Sequence, residues 1–239
     1  MSDARATGPA VSHIVVAIPA KNEGRLIGAC LRSVGVAVQS LRLRTDVDRV
    51  CVVVAMDGCT DGTAMVAGRN GVKAVVTQTA GVGAARDLAV RTGLADLGEP
   101  AASHVWVACT DADSLVPPRW LSEQLRHAND GADMVVGTVE PAMRGSERRA
   151  AWDDRHRLVE NHAHVHGANL GLRASTWASV GGFGPRAVHE DVRLVERVRG
   201  AGFAWVATDT TRVTTSARTR GRAMGGFADY LRTLDGHVS

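Results

Sequence analysis

The chain has 239 residues, of which 45% are apolar and only 4% are aromatic, and its net charge is +3. This composition fits one α/β domain with an aliphatic core, and the small net charge gives no indication of nucleic-acid binding. No apolar run is long enough to span a bilayer and the first nine residues contain no hydrophobic signal core, so we expect a cytoplasmic protein without a transmembrane segment, for which peripheral membrane contact is left open.

Short apolar runs alternate with helical patterns through the first half of the chain. The predicted strands cover residues 13–19, 49–56, 72–77 and 104–109, and the predicted helices cover residues 23–38, 60–67, 82–92 and 117–129. This alternation favours a mostly parallel central sheet flanked by helices. Ligands of such sheets bind beyond the carboxyl ends of the strands.

The second half is less regular. Strands are predicted at 133–140, 167–172 and 204–208, helices at 144–165, 175–180 and 190–201, and an Arg-rich loop at 216–222. Trp177 and Phe183 are expected in the core, as are Cys30, Cys51 and Cys109. We expect residues 1–239 to form a single domain, with a nucleotide-binding half at 1–130 and a smaller acceptor-side, catalytic half at 131–239.

Two carboxylates follow the fourth predicted strand. Asp111 and Asp113 are one residue apart, and on an extended chain residues i and i+2 point the same way. Two carboxylates facing one point favour a hard cation such as Mg²⁺ or Mn²⁺, which commonly binds a diphosphate. The alternative is an ordinary polar turn, because Asp and Ser are frequent turn residues.

Polar groups also follow the first two strands, and small residues precede the third helix. Residues 19–23 read Pro-Ala-Lys-Asn-Glu, and Asp57-Gly58 follows the second strand. Residues 81–87 contain glycines before a helix, which favours an anion near the free N–H groups of the helix start. No Lys-Ser/Thr pair follows, so this segment is not a phosphate-binding loop of the Walker type.

Six segments occur in a recognisable order. They are IPAKNE (18–23), MDGCTDGT (56–63), GVGAARDLA (81–89), TDADS (110–114), GANLGLR (167–173) and GGF…HED (181–191). Taken together, they resemble the family 2 glycosyltransferases of the GT-A fold. The resemblance extends from about residue 14 to the Arg-rich tail and implies a GT-A-like α/β domain.

The resemblance also implies a nucleotide-sugar donor, UDP- or GDP-linked. It places Glu23 near the ribose or base, Asp57 at the base, Asp113 on the metal, and Asp111 on the ribose or on the metal through water. The donor-binding residues implied are Pro19, Ala20, Asn22, Glu23, Asp57, Arg86, Asp111, Ala112 and Asn169.

Several of these positions have a structural alternative. Arg86 could instead form a surface salt bridge, and Asn169 could be a buried Asn bonded to backbone. Asp87 stands where many relatives carry Asn. The third metal ligand is undecided among His164, His166 and His189.

The Glu190-Asp191 pair matches the position of the family's general base. The resemblance implies that Asp191 takes the proton of the acceptor hydroxyl and that Glu190 supports it or contacts the acceptor. The alternative is an acidic first turn that complements the helix dipole. The loop at 218–222 could close over a diphosphate, contact anionic lipid, or be a solvated surface.

The predicted function is therefore a metal-dependent inverting glycosyltransferase that moves one sugar to a hydroxyl of a small-molecule or lipid acceptor. The Gln-x-x-Arg-Trp signature of processive synthases is absent from the sequence, which favours a single transfer. The alternatives are a nucleotidyltransferase of related sheet architecture and a non-catalytic nucleotide-sugar binding protein.

Overall fold

The computed structural model describes residues 8–78, 81–143, 147–184, 189–218 and 231–232. The strands are β1 His13–Ala20, β2 Arg49–Asp57, β3 Lys73–Thr77, β4 Val105–Cys109, β5 Ser114–Leu115, β6 Met134–Pro141, β7 Leu170–Arg173 and β8 Trp205–Thr215. The helices are α1 Ile27–Arg42, α2 Thr63–Arg69, α3 Val82–Asp96, α4 Trp120–Asn129, α5 Glu147–Arg155, α6 Ala174–Ser179 and α7 Glu190–Gly200. Within these ranges, none of the helices combines the length and the apolar character that a membrane crossing requires.

The described strands form one sheet in the order β3-β2-β1-β4-β7-β6-β8-β5. Strands β3, β2, β1 and β4 are parallel to one another, and β6 is parallel to β8, whereas β7 runs antiparallel to both β4 and β6. The predicted mostly parallel sheet flanked by helices is confirmed. Because β4 pairs with β7, the sheet is continuous across residue 130, and the division into two functional halves stays a prediction.

Helices cover both faces of the sheet, which explains why β1 is apolar throughout rather than alternating. Ile14, Val16 and Ile18 pack in the cluster that contains α1 and α4 side chains, while Val15 and Ala17 pack in the cluster that contains α3 and α7 side chains. This double covering fixes the polar carboxyl ends of β1, β2 and β4 at one edge. The expected burial of Trp177, Phe183, Cys30, Cys51 and Cys109 is confirmed.

Some predicted bounds are wrong. Helix α1 begins at Ile27 rather than at residue 23, and residues 24–26 form a turn in which the N–H groups of Leu26 and Ile27 donate to the Glu23 carbonyl (both 2.9 Å). Helix α5 ends at Arg155, and residues 156–166 are not helical. A 3₁₀ turn precedes β7 at Gly167–Asn169, and β8 continues to Thr215, where it pairs with β5 and β6.

A matched pair of glycines tests the packing of α3 on β1. A Cβ at Gly93 would lie 2.9 Å from Val15 Cγ2, whereas a Cβ at Gly35 in α1 would meet nothing within 4 Å. We expect Gly35→Ala to stabilise the fold by about 0.5–1 kcal/mol, the usual gain in a helix. Gly93→Ala should instead destabilise it by about 1–3 kcal/mol through overpacking. Urea unfolding measures both, and equal gains would contradict the described contact.

Candidate active site

The loop after β1 is held against the start of α2. Asn22 has a left-handed backbone (φ 53°), and its Oδ1 accepts from the Thr60 N–H (2.7 Å). Thr63 Oγ1 holds the next backbone N–H, that of Glu23. Pro19 and Ala20 end β1 and are buried, and Glu23 is also buried. The backbone that carries the Glu23 carboxylate is therefore held in place by hydrogen bonds, and the Asn22 side chain stabilises the turn.

Asp57 ends β2 and is buried. Its Oδ2 accepts from the Gly81 N–H (3.2 Å) before α3 and lies 3.8 Å from Lys21 Nζ. The turn aims this carboxylate toward the carboxyl edge of the sheet. The ion pair with Lys21 was not predicted, although Lys21 is one of only two lysines in the sequence.

Asp111, Ala112 and Asp113 form a turn, in which the Ser114 N–H donates to the Asp111 carbonyl (3.0 Å). The expectation of an extended backbone at these residues is therefore wrong. The two carboxylates are still close enough to interact. Burial, and secondly the charge of Asp111, raise the pKa of Asp113 from 3.8 to about 6. The charge of Arg218 opposes this rise but does not cancel it, so loss of hydration is the dominant effect on this carboxylate.

Arg218 bridges two of these acids. Its Nη1 donates to Glu23 Oε1 and Oε2 (2.7 and 3.0 Å), and its Nη2 lies 3.1 Å from Asp113 Oδ2. The solvated-surface alternative is wrong for Arg218, whereas Arg220 and Arg222 lie outside the described residues. The Arg218 guanidinium thus lies between two carboxylates, of Glu23 and Asp113, that are predicted to bind ligands.

Arg86 on α3 is buried, with a side chain only 1% exposed. Its Nη1 donates to Glu190 Oε1 and its Nη2 to Asp111 Oδ1 (2.8 Å). Burial by itself lowers the pKa of this guanidinium, but the charges of Glu190 and Asp111 outweigh burial and raise it. The surface salt bridge is therefore wrong, and Arg86 links the Asp-x-Asp turn to the Glu-Asp pair.

Glu190 and Asp191 form the first turn of α7, after His189 in a left-handed conformation (φ 59°). Burial raises the pKa of Glu190 despite the opposing charge of Arg86. Asp191 Oδ2 accepts from the Gly167 N–H (2.7 Å) and Oδ1 from the Val192 N–H (2.8 Å). Two backbone donors from different elements therefore fix Asp191, and the donor role of Gly167 has no signal in the sequence.

The three candidate histidines differ in their surroundings. Burial lowers the pKa of His166 to about 4, against the opposing charge of Asp191, so His166 is neutral near pH 7. His164 is stacked between His162 and His166, and His189 is exposed. Among the residues that the structure describes, no group of three or more His, Cys, Asp or Glu is arranged to hold a metal. A third protein ligand therefore stays a prediction.

Asn169 is a core residue. Its Nδ2 donates to the Thr138 and Thr211 carbonyls (both 2.8 Å), and its Oδ1 accepts from Trp120 Nε1 (2.9 Å). The alternative in which Asn169 is a buried residue bonded to backbone therefore describes this geometry, and the side-chain amide links β6 with β8.

A cavity of about 320 Å³ opens beside Asp113. Its lining is mostly small or apolar, with three hydroxyl side chains, and comprises Leu26, Ala29, Asp113, Leu115, Ala142, Thr214, Thr215, Ser216 and Ala217. A concave space therefore lies beside the carboxylate of Asp113, whose side chain is only 12% exposed.

Comparison with known proteins identifies a family and a fold. Residues 15–174 match the family described as Glycosyl transferase family 2, and no curated protein matches the sequence. Among solved structures, S. aureus TarS 1–349 in complex with UDP-GlcNAc is 13% identical, with a TM-score of 0.63 over 90% of this chain and 61% of that one. Mannosyltransferase PcManGT from Pyrobaculum calidifontis, in complex with GDP-Man and Mn²⁺, is 20% identical, with a TM-score of 0.61 over 91% and 61%.

A third similar structure is glucosyl-3-phosphoglycerate synthase from Mycobacterium tuberculosis, which is 19% identical with a TM-score of 0.56 over 93% of this chain and 78% of that one. At these identities the likeness shows the fold, and the predicted GT-A-like fold is confirmed. The chain spans 61% of the TarS 1–349 structure and 37% of a longer TarS structure.

Proposed function

We propose that this chain, which belongs to glycosyl transferase family 2, is a glycosyltransferase that transfers one sugar, with inversion, from a nucleotide-sugar donor to a hydroxyl of a small-molecule or lipid acceptor. Inversion means a single displacement in which the acceptor oxygen attacks as the nucleoside diphosphate leaves. The family assignment leaves no reason to propose the nucleotidyltransferase or the non-catalytic alternative.

One observation carries this proposal: the predicted donor-binding and catalytic acids are joined through two arginines at one edge of the sheet. Arg218 connects Glu23 with Asp113, and Arg86 connects Asp111 with Glu190. A single displacement needs a carboxylate for the acceptor proton close to the groups that hold the leaving diphosphate. The continuous chain of contacts supports that arrangement.

We propose a UDP- or GDP-linked donor. TarS structures contain UDP or UDP-GlcNAc, and the PcManGT structure contains GDP-Man. In this chain the nucleoside would lie between the loop that carries Glu23 and the buried Asp57, whose carboxylate is oriented by the Gly81 N–H. The proposed donor contacts include Pro19, Ala20 and Ala112, which are buried and small enough for close approach.

The residues present fit a divalent metal, Mg²⁺ or Mn²⁺. The candidate ligands Asp113 and Asp111 offer only oxygen, which suits a hard ion, and a guanidinium already lies against Asp113, as expected of a position that requires positive charge. When bound, the metal would neutralise charge on the leaving diphosphate. Asp113 would bind it directly, and Asp111, held by Arg86, would bind it through water or bind the ribose.

Asp191 would act as the general base. Its two backbone hydrogen bonds, from Gly167 and Val192, orient the carboxylate without neutralising it. Glu190 is the partner of buried Arg86, so it supports the site rather than competing for the acceptor proton. The proton of the acceptor hydroxyl would move to Asp191 as its oxygen attacks the anomeric carbon.

The test is a panel of UDP- and GDP-sugars, with and without Mn²⁺, measured first by thermal unfolding, since a ligand of the native state raises its stability. Donors that stabilise the protein are then incubated with hydroxyl acceptors, and the anomeric configuration of the product is read by NMR. An inverted product supports the proposal. A retained configuration, or stabilisation by no nucleotide sugar, would refute it.

The raised pKa of Asp113 predicts a pH-dependent metal affinity. Because the pKa is about 6 in the ligand-free protein, a proton occupies Asp113 below that pH and must leave before a cation can bind. Mn²⁺ affinity should therefore be constant above about pH 7 and fall about tenfold per unit below about pH 6. Calorimetric Mn²⁺ titration measures this dependence, with Asp113→Asn as the control that abolishes it. An affinity independent of pH across this range would contradict the prediction.

A further inference from the structure

Gly167 lies directly against the guanidinium of Arg86. A Cβ built at Gly167 would be 2.7 Å from Nη2, 2.8 Å from Nη1 and 2.9 Å from Cζ of that side chain. The φ angle of Gly167 is not among the positive values in the described residues, so the backbone conformation itself would accept alanine. The lack of a side chain at Gly167 therefore allows its backbone to lie close to Arg86.

The guanidinium has little room to yield. It is held on one side by Glu190 and on the other by Asp111, and its Cζ lies 5.3 Å from the centroid of the Phe183 ring. Hydrogen bonds between ionised groups are about twice as strong as neutral ones, and the Arg86–Glu190 pair is buried. The planar head of Arg86 is thus a rigid surface on which the Gly167 backbone rests.

The same glycine holds Asp191. The Gly167 N–H donates to Asp191 Oδ2 over 2.7 Å, from the 3₁₀ turn Gly167–Asn169. The place of this N–H depends on how closely the Gly167 backbone can approach Arg86. We propose that Arg86 is a positioning residue for Asp191, acting through the face that it presents to Gly167, and that Gly167 is glycine for this purpose.

This inference rests on the proposed function only in assigning Asp191 the role of base. Its consequence is that the buried Arg86 guanidinium orders both halves of the site. It donates to Asp111 on the donor side, and it fixes the position of the Gly167 N–H that donates to Asp191 on the acceptor side. The role is distinct from direct contact with the donor, because the Arg86 side chain is 1% exposed.

The first test is Gly167→Ala. Since the guanidinium is clamped, the added methyl should displace the Gly167 backbone and its N–H. We expect kcat to fall about 10- to 100-fold, as for small misplacements of a catalytic group, while the affinity for UDP or GDP with Mn²⁺ stays within about threefold. Gly35→Ala on α1, where a Cβ meets nothing within 4 Å, is the control and should keep its kcat.

The second test is a double-mutant cycle, because contacting residues give non-additive effects. In an Arg86→Met/Glu190→Gln background the guanidinium and its buried counterion are removed together. Gly167→Ala should then change kcat and the unfolding midpoint by much less than in the wild-type background. Arg86→Lys provides a second background, since a lysine side chain lacks the planar head that the methyl meets.

Additive effects of Gly167→Ala in these backgrounds would overturn the inference, as would weakened nucleotide binding with an unchanged kcat. The unfolding midpoints of the same set of variants are measured in the absence of ligand. They therefore report on the Arg86–Gly167 contact even if Asp191 proves not to be the base. Conversely, an additive cycle alongside an inactive Asp191→Asn variant would remove this inference and leave the proposed function intact.

Discussion

Asp191→Asn should abolish sugar transfer while leaving nucleotide binding nearly intact. The amide cannot accept the proton of the acceptor hydroxyl, and loss of a general base costs about 10²- to 10⁴-fold in rate. Asn keeps the size of Asp. The N–H groups of Gly167 and Val192 donate to the carboxylate, and the NH₂ group of Asn would face one of them. A small local rearrangement is therefore included in the expected effect, and the fold should survive.

The measurement is the initial rate of transfer together with calorimetric binding of UDP or GDP in the presence of Mn²⁺. Asp46→Asn, the same chemical change at an exposed position before β2, is the control and should leave both quantities unchanged. Transfer by Asp191→Asn at a rate within a few fold of wild type would remove Asp191 from the mechanism. Loss of nucleotide binding instead would place Asp191 on the donor side.

The sequence was sufficient for the sheet because β1 and β4 are apolar runs with both faces covered, and because each is followed by a helical pattern. Strand–helix alternation restricts the topology to few arrangements, and the predicted strands that precede the donor-side motifs were found within a few residues of their expected bounds. The antiparallel direction of β7 could not be read from residues 167–172, since a short apolar segment has the same pattern in either direction.

The bounds failed where tertiary contacts compete with local propensity. Before α1, residue Glu23 belongs to a loop that is held by a distant residue, because Thr63, 40 residues away in the chain, accepts its backbone N–H. Strand β8 continues to Thr215 because residues 213–215 pair with β6 and residues 214–215 also pair with β5. No window of neighbouring residues contains these partners.

The positions of the candidate site residues followed from strand ends, but their partners did not. Arg86 looked like any helix-surface arginine, and only the three-dimensional structure brings Glu190, 104 residues later, against it. Likewise the bridge from Arg218 to Glu23 spans 195 residues. Charge pairs of this separation have no local signal, so the arginine partners of Asp111 and Asp113 could not be predicted from the sequence.

Asp113→Asn should remove the metal dependence of nucleotide binding. Asp113 is the less exposed of the two acids, with 12% of its side chain accessible against 36% for Asp111, and burial and the charge of Asp111 raise the pKa of Asp113. Loss of its charge should eliminate the extra thermal stabilisation that Mn²⁺ gives with UDP or GDP. Asp111→Asn should weaken metal affinity by only about tenfold, as expected of an outer partner.

Substitution of Arg218 should change the affinity for Mn²⁺ in the direction opposite to that of Asp113→Asn. In the ligand-free protein its guanidinium lies against Asp113 and Glu23, where it competes with a divalent cation for the same carboxylate. Arg218→Gln should therefore raise the affinity for Mn²⁺ alone, measured by calorimetry without nucleotide, whereas Asp113→Asn should lower it. If both substitutions weakened Mn²⁺ binding, Arg218 would be organising the metal position rather than occupying it. If neither changed it, Asp113 would not be a ligand, and the cation would have to bind elsewhere.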